Sequence, residues 1–345
     1  MTLHPLLGTE LPVIQAPMAG VQSSAMAIVV STAGGLGSLP CALLSPQAMR
    51  AELAAIAAAT TRPVNVNFFC HHPPAADQER ERAWRDRLQP FYRELGVDPD
   101  QPVAAPARAP FNDEAAELLA AFKPAIVSFH FGLPAPPLVA RVRACGAKIL
   151  SSATTVDEAK WLEAQGVDGV IAQGYEAGGH RGMFLTGQLT TQVGTFALLP
   201  QLVKAVRVPV IAAGGIAGAA GVAAALALGA SAVQVGTAFL LCPEATTSDI
   251  HRAALSTDAA RHTAITNVFT GRPARGIVNR LIREVGPMAE EAPAFPLAAA
   301  AVTPLRMAAE ARGSSDFSPL WAGQNVSECT SQGAAALVRQ LAGVD

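Results

Sequence analysis

The sequence has little charge, few aromatic residues and no long hydrophobic run. Of its 345 residues, 15% are charged and 5% are aromatic, whereas 50% are hydrophobic. A disordered chain has the opposite balance, so we expect this one to bury a core. The longest apolar stretch, 217–228, is shorter than the ~20 residues that span a bilayer, and no basic segment opens a signal peptide. We therefore expect no membrane association.

Cysteine pairs and basic clusters are also missing. The five cysteines are scattered, without a C-x-x-C motif and without a histidine at metal-ligand spacing. This predicts reduced thiols, no metal ion and a cytoplasmic protein. The formal net charge of -2 lacks the basic excess that binds a phosphate backbone, so nucleic acid is not an expected partner. Neither a nucleophile elbow, a P-loop nor an H-E-x-x-H motif is present.

Short runs of valine, isoleucine and alanine recur along the chain, and alanine-rich helical stretches lie between them. This alternation is typical of parallel βα units. The predicted strands are 13–16, 35–39, 64–68, 125–129, 148–151, 169–172, 210–213 and 232–235. Eight such units predict an α/β fold, a (β/α)8 TIM barrel whose catalytic groups collect at the carboxyl ends of the strands.

Two segments interrupt this pattern. Residues 71–112 contain the densest charge in the chain, and their later part, 99–110, is rich in proline. This composition predicts a surface insertion after strand three, with an exposed helix and an extended linker. Residues 243–345 show helical patterns without a convincing strand. We expect a barrel over 1–242 and a small, mostly helical C-terminal segment or lid that completes the barrel mouth.

The last two strands end in residues suited to a phosphate. Gly214 and Gly215 follow the strand 210–213, and Gly236 and Thr237 follow the next one. Glycines let backbone N–H groups approach a phosphate at a helix start, and TIM barrels often bind phosphate after strands seven and eight. The alternative is that these glycines only turn a tight corner.

The stretch 173–182 follows strand six and contains His180 among glycines. An imidazole there has little packing to do, and it suits general-base work or, when protonated, the binding of an anion. A solvated loop histidine is the alternative. His130 ends strand four at the same face and is a candidate for the substrate pocket, whereas His71 and His72 open the charged insertion and are expected to be solvated.

Two asparagines, Asn65 and Asn67, fall on one face of strand three. Buried amides need partners, so either the two satisfy one another or Asn67, nearer the carboxyl end, reaches a ligand. Residues 15–20 end strand one with small side chains and a proline, which lets the backbone lie against a flat ligand.

Taken together and in order, several motifs resemble the nitronate monooxygenase family, also called 2-nitropropane dioxygenase. They are Q-A-P-M-A-G at 15–20, N-V-N-F-F at 65–69, Q-G-Y-E-A-G-G-H-R-G at 173–182, A-A-G-G-I at 212–216 and Q-V-G-T-A-F-L at 234–240. Two further motifs, T-G-R-P-A-R-G at 270–276 and L-W-A-G-Q at 320–324, resemble its class I branch. One departure is that residues 295–306 contain neither the tyrosines nor the lysine that class I members have near this segment.

The resemblance implies a TIM barrel that binds FMN and oxidises nitronates with O2 to a carbonyl compound and nitrite. Propionate 3-nitronate is the substrate it suggests, with weaker activity on nitroalkanes. It implies His180 as the catalytic residue and His130 and Tyr175 in the substrate pocket. The cofactor-binding residues it implies are Ala16, Pro17, Met18, Asn67, Gln173, Gly178, Gly179, Gly214, Gly215, Gln234, Gly236 and Thr237. Among them, Gly215, Gly236 and Thr237 are expected at the phosphate.

Two other functions remain open from the sequence. An FMN-dependent enoyl-acyl carrier protein reductase has a similar barrel and a similar glycine-histidine block, but it requires NAD(P)H and an acyl-carrier partner. A non-catalytic flavin-binding or regulatory protein is the other, and the presence of His180 disfavours it. The oligomeric state and the role of His180 as base or anion anchor are not decided by the sequence.

Overall fold

The structure is a computed structural model, and it describes residues 3–99 and 108–344. Eight parallel strands form one sheet in the order β1, β9, β8, β6, β5, β4, β3, β2. Their bounds are Val13–Gln15 (β1), Gly37–Pro40 (β2), Val64–Phe69 (β3), Ile126–His130 (β4), Lys148–Ala153 (β5), Gly169–Gln173 (β6), Val210–Ala213 (β8) and Ala232–Val235 (β9). A bridge between Ile14 and Leu36 joins the first two strands and closes the barrel. The predicted eight-stranded barrel is confirmed.

The described residues contain twelve α-helices, of which most cover the outside of the barrel and three pack together beside it. They are Ser24–Thr32 (α1), Pro46–Ala59 (α2), Gln78–Leu95 (α3), Asp113–Phe122 (α4), Pro136–Ala144 (α5), Val156–Ala164 (α6), Thr195–Ala205 (α7), Ala219–Ala227 (α8), Asp249–Leu255 (α9), Arg280–Val285 (α10), Ala299–Glu310 (α11) and Ala334–Leu341 (α12). The last helix, α12, packs on α1 and α8, so the C-terminal segment supplies part of the outer layer. No helix in the described ranges has the length and apolar composition to cross a bilayer.

Side chains inside the barrel form two layers of different character. Successive residues on a strand face opposite sides, so residues two apart share the interior. The lower layer is apolar and consists of Ile14, Leu36, Ile126, Leu150, Ile171, Ile211 and Ala232, with Leu6 and Leu7 below it. Two residues further along each strand the interior becomes mostly small or polar, and this change places an open, functional layer at the carboxyl ends.

The charged insertion differs from the surface helix that the sequence predicts. Helix α3 buries Trp84, Leu88, Phe91, Tyr92 and Leu95 in a second hydrophobic core with α10 and α11. These five residues recur at helical spacing on one face, whereas the many charges occupy the other. The expectation of a mere surface insertion is therefore wrong. Of the predicted linker 99–110, residues 100–107 lie outside the described residues.

The C-terminal segment also contains strands that the sequence analysis did not predict. Thr263–Thr266 (β10) pairs antiparallel with Ala274–Ile277 (β11), which in turn pairs with Gly179–His180 (β7). The pairing joins the C-terminal segment to the loop after β6. Short strands of this kind depend on partners distant in the chain, so local sequence patterns reveal them poorly. The domain division at residue 242 stays a prediction.

Candidate active site

A cavity opens at the carboxyl ends of the barrel strands. Its floor is the second interior layer, formed by Ala16, Asn67, Ser128, Ser152, Gln173, Ala213 and Gln234. The rest of the lining comes from the loops after the strands and from residues 319–325, here called the C-terminal strap. All twelve residues predicted to bind the cofactor line this one cavity. Their roles remain predictions, but the fold brings them together from seven separate segments.

One end of the cavity is built from glycines. Gly214 and Gly215 have φ angles of 112° and 73°, a region that residues with a side chain rarely adopt. The C-terminal strap closes over this end, since Gly323 N–H donates to the Thr237 hydroxyl at 2.9 Å and the Asn325 amide donates to Gly215 O at 3.0 Å. A Cβ on Gly178 would lie 2.6 Å from the backbone of the strap, so only glycine fits there.

The side-chain NH2 groups of Asn65 and Asn67 donate to serine hydroxyls. Asn67 Nδ2 donates to the Ser128 hydroxyl at 2.9 Å, whereas Asn65 Nδ2 donates to the Ser38 hydroxyl at 3.0 Å. The two asparagines therefore do not satisfy one another. Gln173 donates to His180 O at 3.0 Å and accepts from Gly182 N–H at 2.7 Å, so it holds the backbone on both sides of Arg181.

His180 also lines the cavity, partly buried in an aromatic wall. Its ring centroid is 5.2 Å from that of Phe295 and 5.4 Å from that of Trp321. Its Nε2 is 2.9 Å from the Thr270 hydroxyl oxygen, and no protein partner for Nδ1 is found among the described residues. Pairing of β7 with β11 fixes the backbone that carries this ring.

Burial and neighbouring cations act on the histidines of the cavity. Loss of solvation, followed by the charge of Arg108, lowers the pKa of His180 well below its ordinary value. Burial also lowers the pKa of His130 to about 4. His130 lines the cavity as predicted, with Nδ1 3.0 Å from the Ser152 hydroxyl and Nε2 3.1 Å from His180 O. Both imidazoles are thus neutral at neutral pH.

Two expectations for individual residues do not agree with the structure. Tyr175 does not line the cavity, because its ring lies against the guanidinium groups of Arg275 and Arg181 at 4.8 and 5.9 Å. His71 is buried rather than solvated, since it packs edge-on against Phe295 at 4.9 Å and burial lowers its pKa to about 4. His72 is exposed as expected.

Several residues that line the cavity were not predicted from the sequence. Arg108 comes from the insertion, His251 from α9 and Trp321 from the C-terminal strap. Arg108 is the single basic residue between Arg93 and Lys123, which is a weak signal. Nothing in the local sequence distinguishes His251, whose buried Nε2 has no hydrogen-bond partner. Such residues reach the cavity only through the packing of distant segments.

Comparison with known proteins matches the chain to one family. The family model described as nitronate monooxygenase matches residues 2–343. A nitronate monooxygenase of Paraburkholderia phytofirmans is 44% identical over 343 residues, covering 98% of this chain and 93% of the relative. A second one, from Pseudomonas aeruginosa, is 44% identical over 338 residues, covering 97% of this chain and 96% of the relative.

A solved structure agrees with these relatives. It is that of a nitroalkane oxidase from Streptomyces ansochromogenes, which superposes with a TM-score of 0.88 at 38% identity and covers 97% of this chain and 95% of that one. Family, fold and the ordered set of cavity residues coincide. The chain belongs to the nitronate monooxygenase family of oxidoreductases.

Proposed function

We propose that this protein oxidises alkyl nitronates to a carbonyl compound and nitrite, with FMN bound in the cavity and O2 as the second substrate. Propionate 3-nitronate is the expected substrate, with neutral nitroalkanes oxidised more weakly. The observation that carries the proposal is one cavity lined both by glycines suited to a phosphate and by His180. When bound, FMN would supply the electron acceptor, and the protein would supply placement and charge.

The residues of the cavity fit such a cofactor. Gly214 and Gly215 have positive φ angles, which favour glycine. Because glycine has no side chain, a phosphate can approach the backbone N–H groups here. Gln234 Oε1 and His251 Nε2 are buried at the cavity without hydrogen-bond partners. Buried polar atoms are rarely left unpaired, so a ligand with donors and acceptors is expected against them. We place the phosphate against Gly215, Gly236 and Thr237.

The surroundings of His180 suit a base. In the tautomer that we propose, His180 Nε2 donates to the Thr270 hydroxyl oxygen at 2.9 Å, and the hydroxyl proton is free to turn toward Arg272 O. This assignment leaves the lone pair on Nδ1, and the lowered pKa keeps the ring neutral. A neutral imidazole can remove the α-proton of a nitroalkane, whereas a nitronate has already lost that proton.

The charge of the cavity favours an anionic substrate. Among its described lining residues there is no aspartate, glutamate or lysine, and Arg108 lies at its wall. Arg272 adds a second cation nearby, with its guanidinium 3.9 Å above the ring of Phe131. A nitronate is an anion, so its entry is not opposed by a carboxylate in this lining.

The test first identifies the bound flavin and then measures which compound reduces it. Acid extraction and chromatography of the released flavin should identify FMN; recovery of FAD, or a protein that does not bind FMN on reconstitution, would contradict the cofactor assignment. The holoenzyme should then be mixed without oxygen with a nitronate and, separately, with NADPH. Rapid bleaching of the flavin by the nitronate alone supports the proposal, whereas bleaching by NADPH alone would favour an enoyl-acyl carrier protein reductase.

A further inference from the structure

Arg108 is the one permanently charged side chain among the described residues that line the cavity. Its Nη1 is buried and has no hydrogen-bond partner. The other arginines near the site donate to backbone oxygens, including Arg272, which donates to Met183 O but also has a buried Nε without a partner. Arg181 donates to Gly174 O and Gln173 O at 2.7 and 2.8 Å, and Arg275 donates to Tyr175 O at 3.1 Å. Arg108 thus has donor capacity directed at no described protein group.

A guanidinium that is half-buried, with one nitrogen fully buried and unpaired, is unfavourable for the free protein. Removing a charge from water costs free energy that a partner normally offsets. Burial, with the charge of Arg306 as the second cause, lowers the pKa of Arg108, and no carboxylate among the described residues acts against it. Groups of this kind persist where a ligand supplies the missing counter-charge.

The position of Arg108 relates it to His180. The ring of Phe295 lies 5.2 Å from the His180 ring and 5.9 Å from the guanidinium carbon of Arg108. Phe295 therefore stands beside both groups. The glycines of the phosphate end contact other elements, namely Glu176, Ala16 and the C-terminal strap. Arg108 is thus placed to meet the substrate rather than the phosphate.

We propose that Arg108 determines substrate specificity by binding a carboxylate on the substrate while the nitronate group lies near His180. This inference rests on the proposed function. The guanidinium is planar and presents two parallel donors that match the two oxygens of a carboxylate. Residues 295–306 contain no lysine, and their one cation, Arg306, is paired with Glu310 at 2.7 Å, so the cation at the cavity comes from the insertion. The enzyme should accordingly prefer nitronates with a second negative charge.

The experiment compares two nitronates of similar length, those of 3-nitropropanoate and of 1-nitrobutane, in wild type, Arg108→Gln and Arg108→Lys. Charge-assisted hydrogen bonds support a loss of about 10- to 100-fold in kcat/KM for the carboxylate substrate in Arg108→Gln, chiefly through KM. The butyl nitronate should change by less than about threefold, and Arg108→Lys should recover part of the loss. Exposed Arg261→Gln is the matched control and should resemble wild type.

The outcomes separate this inference from the proposed function. If the wild-type holoenzyme oxidises neither nitronate, the proposed function fails. If it oxidises both, and Arg108→Gln lowers both equally or neither, Arg108 does not select for a carboxylate and the inference is overturned. A second measurement needs no variant: butanoate should perturb the flavin absorption of wild type at far lower concentration than butan-1-ol. Equal concentrations for the two compounds would also overturn it.

Discussion

At the scale of single residues, the chemistry of the cavity depends on the protonation of His180. Its Nε2 is bound to Thr270, and burial together with Arg108 keeps the ring neutral. The residue is thus prepared to accept a proton rather than to act as a fixed cation. A charged anion anchor is better supplied by Arg108, which stays protonated at neutral pH.

Replacement of His180 tests this division of labour. In His180→Asn, activity on neutral nitroalkanes should fall by about 10²- to 10⁴-fold, the usual contribution of general-base catalysis, and activity on preformed nitronates should fall much less. Steady-state kinetics of both substrate forms, with flavin content as the control, measure the difference. Unchanged kcat/KM on both substrates with FMN still bound would remove His180 from the mechanism and make His130 the next candidate.

The same residue predicts a pH dependence. A base acts only when it is unprotonated, so kcat/KM on a neutral nitroalkane should fall as pH decreases through the pKa of His180. Because that pKa is lowered, the acid limb should lie below the ordinary histidine value of 6.5. A pH profile of wild type checks this, and an acid limb above pH 6.5 would contradict the neutral imidazole.

Gly215 allows the phosphate assignment to be tested with a matched pair of variants. In Gly215→Asp a carboxylate would lie where the phosphate is expected, and like charges ~4 Å apart repel by about 4 kcal/mol near a protein surface. Gly215→Asn has nearly the same shape and tolerates the positive φ of 73° equally well. FMN content should therefore be much lower in Gly215→Asp than in Gly215→Asn, with similar circular dichroism in both. Equal, full occupancy would place the phosphate elsewhere.

At the scale of elements, the insertion and the C-terminal segment form one packed unit beside the barrel. Helix α3 contacts α11 through its aromatic face, and Trp84 Nε1 donates to Ala298 O at 3.2 Å. Arg280 on α10 joins the same unit through a bidentate pair with Glu94 at 2.6 and 2.8 Å. Phe295, which precedes α11, borders this unit, and its ring lies 5.9 Å from the guanidinium carbon of Arg108.

Trp84→Ala should reveal how much this packing contributes. Trp84 is fully buried. Its replacement by alanine should lower the free energy of unfolding by about 4 kcal/mol, because contacts are lost and a cavity remains. Denaturant unfolding of the variant measures this loss against Arg82→Ala, an exposed position on the same helix. A loss below about 1 kcal/mol in Trp84→Ala would show that the second core adds little to the stability of the fold.

At the scale of the whole molecule, stability is coupled to the buried histidines. Burial lowers the pKa of His71, His130 and His251 to about 4, whereas the ordinary value is 6.5. The unfolded chain therefore takes up protons below pH 6.5 that the folded chain refuses until about pH 4. The stabilising contribution of the neutral rings is complete above this window and is lost as pH falls through it.

This coupling predicts a steep loss of thermal stability on acidification. The Tm of wild type should decrease between pH 6.5 and pH 4, and His251→Gln should show a shallower decrease because one of the histidines with a lowered pKa is gone. Differential scanning calorimetry at several pH values gives both slopes. The slopes, rather than the Tm values themselves, are compared, since the substitution also changes packing. Equal slopes in the two proteins would contradict the assignment of His251 to this effect.

What the sequence by itself determined is the barrel and the general position of its site. Strands such as Val210–Ala213 and Ala232–Val235 were predicted with their observed bounds, because an apolar run ending in glycine is a local signal. The phosphate-type glycines and the His180 loop follow these strand ends, and the barrel rule places strand ends at one face. Neither prediction required knowing which distant segments of the chain pack together.

Only the tertiary structure decided which residues surround the reacting end of the cavity. Arg108 lies 187 residues before Phe295 in the chain (295 minus 108), yet its guanidinium carbon is 5.9 Å from the Phe295 ring, and Trp321 approaches the ring of His180 to 5.4 Å. The buried state of His71 and the outward turn of Tyr175 have the same origin. Burial, pKa and hydrogen-bond partner are properties of a side chain's surroundings, and those surroundings are built from residues that local periodicity does not connect.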